Sequence, residues 1–153
     1  MEQKNILQQD LELIYNSLSE AEKKRLENAV ILLTGCAGFL GFYFCNFFVK
    51  YAKQLKIKLV VGTDIFLFGT PEWLKKLDAE NEHFIVKSHD ITNDDITQLF
   101  PKDVAATHVI HMASIASPTF YRKYPIKTID ANIWGLRNLF EKYKESRDLK
   151  GFL

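Results

Sequence analysis

Two features of this chain could act together on one ligand. The first is a glycine-spaced turn, Thr34-Gly35-Cys36-Ala37-Gly38-Phe39-Leu40-Gly41. The second is a carboxylate, Asp64, 23 residues past the last of those glycines. In such a turn Gly35 lets the chain leave a strand sharply, Gly38 leaves the backbone bare for a pyrophosphate, and Gly41 lets the next helix pack close. A helix opening there aims its free N–H groups and positive dipole end at phosphate oxygens. The turn holds no lysine and lacks a Gly-Lys-Ser/Thr ending, which argues against a P-loop. Asp64 stands near the ~20-residue offset of a carboxylate that accepts from adenosine ribose hydroxyls. A carboxylate there would repel a 2′-phosphate, so NAD is expected over NADP.

Other candidates are weaker. His83, His89, His108 and His111 could suggest a metal. His108 and His111, three apart in one predicted strand, point to opposite faces, so no metal site is expected. Asp94-Asp95 reads as a helix N-terminus. Cys36 and Cys45 do not form a disulfide framework and fit a reducing compartment.

The elements that must position the turn follow from periodicity. Apolar, β-branched runs at 29–34, 58–63, 83–86 and 107–112 predict four buried strands, and 151–153 opens a fifth. A helix is predicted from the glycine turn to about Leu55. Another starts at Thr70-Pro71-Glu72, with Thr70 as cap and proline in the first helical position. A short helix is expected over 93–100, ended by Pro101. A long one covers 125–143, with Ile126, Ile129, Ile133, Leu136 and Phe140 on one face. Alternating strands and helices predict an α/β fold: a Rossmann-type doubly wound parallel sheet, partial, with about four to five strands. Residues 1–28 read as a helical N-terminal extension, with Leu7, Leu11, Ile14 and Leu18 at helical spacing and a capping box at Ser19 and Glu22. The extension is expected to pack on the domain, the alternative being a contact for another subunit. Residues 29–153 read as the dinucleotide-binding half-domain.

Composition narrows the class. With 47% hydrophobic and 25% charged residues the chain should fold around a core. A net charge of +1 gives no basic surface for nucleic acid. The longest apolar stretch, interrupted by Asn46, is too short for a membrane span, and no signal peptide is visible. A cytoplasmic location is expected.

The glycine motif resembles that of the extended short-chain dehydrogenase/reductase superfamily. The segment His111-Met-Ala-Ser-Ile-Ala-Ser-Pro118, followed by Tyr121, Pro125-Ile-Lys-Thr128, Asn132, Gly135 and Asn138, resembles its nucleotide-sugar branch, most of all UDP-glucuronate decarboxylases and dTDP-glucose 4,6-dehydratases. The resemblance covers residues 29–153. It implies NAD as cofactor, a UDP- or dTDP-linked sugar as substrate, and a homo-oligomer. It implies that Gly35, Gly38, Phe39 and Leu40 border the pyrophosphate, with Gly41 completing the motif. By the same resemblance, Asp64 and Ile65 hold the ribose, Asp90 and Ile91 meet the adenine, and Met112, Ala113 and Ser114 line the nicotinamide side. Asn132 would be a supporting asparagine, and Ser117, Tyr121 and Asn138 would face the sugar nucleotide. Three departures stand out: Cys36 where a small residue is usual, Ile65 where asparagine is common, and a longer connection from Gly41 to Asp64.

The superfamily's chemistry requires Tyr-x-x-x-Lys, in which the lysine lowers the tyrosine pKa for proton abstraction. Tyr15, Tyr43, Tyr51, Tyr121, Tyr124 and Tyr143 are followed four places on by Ser19, Phe47, Leu55, Pro125, Thr128 and Arg147. No catalytic residue is therefore expected in this chain. The reading is an NAD-binding N-terminal part of a nucleotide-sugar-modifying enzyme, inactive alone. The alternative is a non-catalytic NAD-binding sensor or scaffold.

Overall fold

A computed structural model describes residues 5–153. Two helices come first. α1 (Ile6–Ser17) is capped by the Asn5 side chain, which accepts from the Leu7 N–H. α2 (Glu20–Arg25) starts at a reciprocal capping box, in which the Ser19 hydroxyl accepts from the Glu22 N–H and the Glu22 carboxylate from the Ser19 N–H. The sheet then builds as β1 (Val30–Thr34), α3 (Phe39–Tyr51), β2 (Leu59–Asp64), α4 (Glu72–Glu80), β3 (Phe84–Ser88), β4 (His108–His111) and β5 (Gly151–Phe152).

All four pairings are parallel and the strand order is β3-β2-β1-β4-β5. β1 is central. The chain winds outward from it to β3, then returns to its other side at β4. That reversal leaves a crevice at the carboxyl ends of β1 and β4, where open α/β sheets take ligands.

Alternation along each strand builds two cores. Ile31, Leu33, Val60 and Phe84 pack under α3 and α4, and Leu11 of α1 joins them. Val30, Leu32, Val61 and Val109 pack on the opposite face with Leu99, Leu139 and Tyr143. α1 docks on α3: Tyr15 stacks on Tyr51 at 4.2 Å, and the Tyr43 hydroxyl donates to Asp10 at 3.1 Å.

Two local expectations are corrected and two further details emerge. Thr70 is not a cap: Pro71, with extended backbone, holds the cap position of α4 without a side-chain bond. The helix expected over 93–100 contracts to a 3₁₀ turn, Ile96–Leu99, capped by Asp95, whose carboxylate takes the Thr97 N–H. Pro118–Lys123, which carried no periodic signal, forms a short helix, α5. The long helix runs over 125–143 as expected, with α6 (Pro125–Asp130), a π turn (Ala131–Gly135) and α7 (Leu136–Tyr143) joined in unbroken helical backbone.

The apolar stripe of that helix is not the face it turns to the sheet. Ile126, Ile129, Ile133 and Phe140 are half or more exposed, whereas Gly135, Leu139 and Tyr143 face the sheet. The helix must approach closely at Gly135, where a Cβ would lie 2.6 Å from Ile91 Cδ1. That contact selects the buried face, and apolar spacing does not report it.

The docking of α1 is testable by urea unfolding. Leu11→Ala should lower the unfolding free energy by about 2–4 kcal/mol, as for a buried leucine. Leu13→Ala, on a side chain 71% exposed, should change it by less than about 0.5 kcal/mol. Equal effects would contradict the docking.

Candidate functional site

The site grows from the end of β1. Thr34 is fully buried, and its hydroxyl sits 2.7 Å from His111 Nδ1 while accepting N–H bonds from Met112 and Ala113 at 3.2 and 3.3 Å. Two N–H donors occupy both lone pairs of the hydroxyl, so its single proton goes to Nδ1. His111 therefore carries its own proton on Nε2, and burial holds its pKa below the ordinary value.

Gly35 comes next, with φ +71°. Any Cβ there would fall 2.7 Å from both the Ala113 nitrogen and the Met112 carbonyl carbon. Glycine is thus required by backbone conformation and by contact at once. A Cβ on Gly41 would overlap the carbonyl of Cys36, so α3 lies directly against the turn. At Gly38 a Cβ meets only the Gly35 carbonyl, at 3.2 Å. The space in front of it is open. Gly38 supplies no side-chain cap to α3, so the first-turn N–H groups of the helix gain no side-chain cap among the described residues.

Cys36 points inward. A Cβ on Gly62 would lie 3.1 Å from its sulfur, so the thiol fills the room that Gly62 leaves. Burial pushes the Cys36 thiol well above its ordinary pKa and Cys45 up to about 12. Both cysteines are free, and neither is a nucleophile.

Asp64 ties two loops together. One carboxylate oxygen accepts from the Ala37 N–H at 3.2 Å and the other from the Phe66 N–H at 2.9 Å. Each oxygen keeps a lone pair for a ligand hydroxyl. Asp90 closes the loop after β3. It accepts from the Thr92 N–H and hydroxyl and from the Asn93 amide. Burial works to raise the Asp90 pKa, but these bonds outweigh it and hold the carboxyl below its ordinary value.

These loops enclose a cleft of about 850 Å³. Of the residues singled out in sequence, Gly35, Gly38, Asp64, Ile65, Asp90 and Ile91 line it, as do Met112, Ala113, Ser114 and Ser117. The others lie elsewhere. Phe39 and Leu40, at the start of α3, are 82% and 56% exposed and do not line the cleft. Gly41 is buried beneath the turn. Asn132 donates to the Ser114 hydroxyl at 2.9 Å and to the Thr128 carbonyl, acting through Ser114. Tyr121 sits on α5 outside the lining, and its neighbour Phe120 faces the cleft instead. Asn138 does not line the cleft: its amide donates to the carbonyls of Ile91 at 3.1 Å and Thr92 at 2.8 Å, pinning the loop after β3 to α7.

Sequence reasoning missed Phe68, Phe120, Lys127 and Asp130, which also line the cleft. Lys127 was visible in the Pro-Ile-Lys-Thr segment, but one lysine on a helix carries no signal of its direction. His89 was noted only as a metal candidate. It lines the cleft, is 6% exposed, and donates its backbone N–H to the Asp64 carbonyl. Its Nε2 has no protein partner among the described residues. No cluster of metal-ligating side chains occurs among the described residues.

Taken together, the geometry suits a ligand with a diphosphate at the turn, a ribose at Asp64 and a base between the loops after β2 and β3. Comparison with known proteins supplies the family. The GDP-mannose 4,6 dehydratase family model matches residues 32–152. UDP-glucuronic acid decarboxylase 6 of Arabidopsis thaliana is 32% identical over 112 residues, covering 73% of this chain and 29% of its own length. This chain thus spans under a third of that relative. The fold is similar to dTDP-glucose 4,6-dehydratase of Bacillus anthracis, solved in complex with NAD, at TM-score 0.63 and 19% identity over 80% of this chain and 36% of that one. It is similar also to UDP-glucose-4-epimerase of Stenotrophomonas maltophila, solved with bound NAD and formylated UDP-arabinopyranose, at TM-score 0.62 and 21% identity over 81% and 35%.

The buried His89 and the half-buried His108 and His111 set a pH dependence. Burial lowers the pKa of His89, against the opposing pull of Asp94, Asp90 and Asp95, and it lowers those of His108 and His111 as well. Below the ordinary value of 6.5 the unfolded chain takes up protons that the folded chain refuses. Stability is therefore full above that pH and is lost as pH falls through the folded-state values. Urea unfolding at pH 7.5 and 5.5 should show a lower free energy at pH 5.5, and His89→Phe should reduce the difference. A difference unchanged in His89→Phe would contradict the neutral, buried state of this side chain.

Proposed function

The chain belongs to the GDP-mannose 4,6 dehydratase family, and on that premise we propose that it is the NAD-binding N-terminal part of a nucleotide-sugar-modifying enzyme. The observation that carries this reading is the junction of the glycine turn with Asp64. A bare, uncapped helix start and a carboxylate with spare lone pairs meet at the reversal point of a parallel sheet.

In this reading the N–H groups of the turn and of the first turn of α3 receive the diphosphate. Asp64 accepts from the adenosine ribose hydroxyls and disfavours a 2′-phosphate there. Asp90 accepts from the adenine amino group with Ile91 beneath it. Met112, Ala113 and Ser114 border the nicotinamide, and Asn132 holds Ser114 in place. Ser117, on the same side of the cleft, and Lys127, a cation on its wall, are placed to meet a UDP- or dTDP-linked sugar. NAD, when bound, would accept and return a hydride. Oxidation of a sugar hydroxyl to a ketone makes a neighbouring bond labile, which permits decarboxylation, dehydration or epimerisation. The family's proton-abstracting Tyr-x-x-x-Lys pair does not occur in this sequence. Turnover would therefore belong to a longer polypeptide, a homo-oligomer of the cytoplasm.

Calorimetry tests the reading. NAD should bind more tightly than NADP, by about tenfold or more from charge repulsion at Asp64. Gly38→Val should abolish NAD binding while leaving circular dichroism unchanged, since its side chain would occupy the phosphate space. The 153-residue chain should turn over neither UDP-glucuronate nor dTDP-glucose. Preference for NADP, or undiminished NAD affinity in folded Gly38→Val, would refute the site, and measurable turnover would refute the assignment of chemistry to a longer chain.

A further inference from the structure

The loop after β2 is apolar and raised over the cleft. Its base is fixed where Asp64 accepts from the Phe66 N–H. From there it makes a tight turn, with the Gly69 N–H donating to the Phe66 carbonyl at 2.8 Å. Phe66, at φ +49°, and Gly69, at φ +85°, hold that turn in left-handed backbone. The turn lifts Phe68 into solvent, 66% exposed. The ring does not stand alone there.

The neighbour is Phe120 on α5, with ring centroids 4.2 Å apart and planes inclined by 43°. The two rings come from opposite sides of the site. Phe68 follows β2 and Phe120 follows β4, and these strands flank β1 on its two edges. A contact between the two connections must pass in front of the carboxyl end of β1, where the glycine turn lies. Both rings line the same cleft as that turn.

We propose that Phe68 and Phe120 form a clasp across the cleft, which must part for a dinucleotide to enter or leave and closes again over it. The loop geometry suits that role. Opening needs only the tip of the turn to swing, because Asp64 fixes the base and a Cβ on Gly69 would meet nothing within 4 Å. The rings gain from contact in either state of the site. The clasp therefore slows entry and exit together and leaves affinity nearly unchanged.

The clasp rests on the NAD-binding reading above, and two measurements keep the two claims apart. The first is the ring-to-ring nuclear Overhauser effect between Phe68 and Phe120 in the ligand-free chain, which should be present. The second is stopped-flow binding of NADH to wild type, Phe68→Ala, Phe120→Ala and the double variant. Each single variant should raise the association and dissociation rates together by about two- to tenfold, the range spanned by one aromatic contact. The dissociation constant should stay nearly fixed, and the double variant should go no further than either single. Phe68→Leu, which keeps apolar bulk, should fall between. A missing ring contact overturns the clasp whether or not NADH binds. Unchanged rates in variants that bind NADH overturn the clasp and leave the cofactor site standing, as does a rise in dissociation alone, which would mean direct ring–ligand contact. No NADH binding by wild type overturns both.

Discussion

The end of β1 is packed so closely that almost everything at the site follows from it. At Gly35 there is no room for a Cβ beside the backbone of Met112 and Ala113, and at Gly41 none beside the Cys36 carbonyl. These contacts draw the turn, the start of α3 and the connection after β4 into one rigid junction. The Thr34 hydroxyl, saturated by two N–H groups and His111, satisfies the polar atoms that such packing would otherwise bury unpaired. Because the junction is fixed, the backbone groups facing the cleft are held in place before any ligand arrives.

Asp64 extends that rigidity to the loop after β2, and Asn138 does the same for the loop after β3. Asp64 spans from Ala37 to Phe66, while Asn138 reaches the Ile91 and Thr92 carbonyls from α7. The cleft is thus bounded by four connections, each tied to a neighbouring element by a side chain, Thr34 serving the one after β4. What remains free to move is the tip of the loop carrying Phe68. Order at the base and freedom at the tip are the conditions under which a gate can work without loosening the site it guards.

Much of this was legible in the sequence because it rests on local constraints. The strand runs, the capping box at Ser19 and the glycine turn are written in consecutive residues, and the offset to Asp64 follows from the length of one helix and one strand. What was not legible depends on contacts between distant segments. Asn138 has the polarity of a ligand-binding residue, and only the fold reveals that its partners are carbonyls 46 and 47 residues away. The stripe of Ile126, Ile129, Ile133 and Phe140 is as apolar as any buried face, yet the demand for close approach at Gly135 turns the helix the other way. Phe68 and Phe120 lie in segments without periodic signal, so nothing in their neighbours announces that they meet. Thr70 failed as a cap because Pro71 already supplies the extended backbone that the position needs.

The central claim is that a dinucleotide lies across the carboxyl ends of β1, β2 and β4. Titrating NAD into the ¹⁵N-labelled chain and following backbone amide shifts tests it most directly. The account predicts that the largest changes fall on Gly35 to Gly41, on Phe66 and on Met112 to Ser114. Changes centred instead on the second cavity, about 700 Å³ between Phe48, Asp78 and Phe84 at the opposite end of the strands, would contradict it.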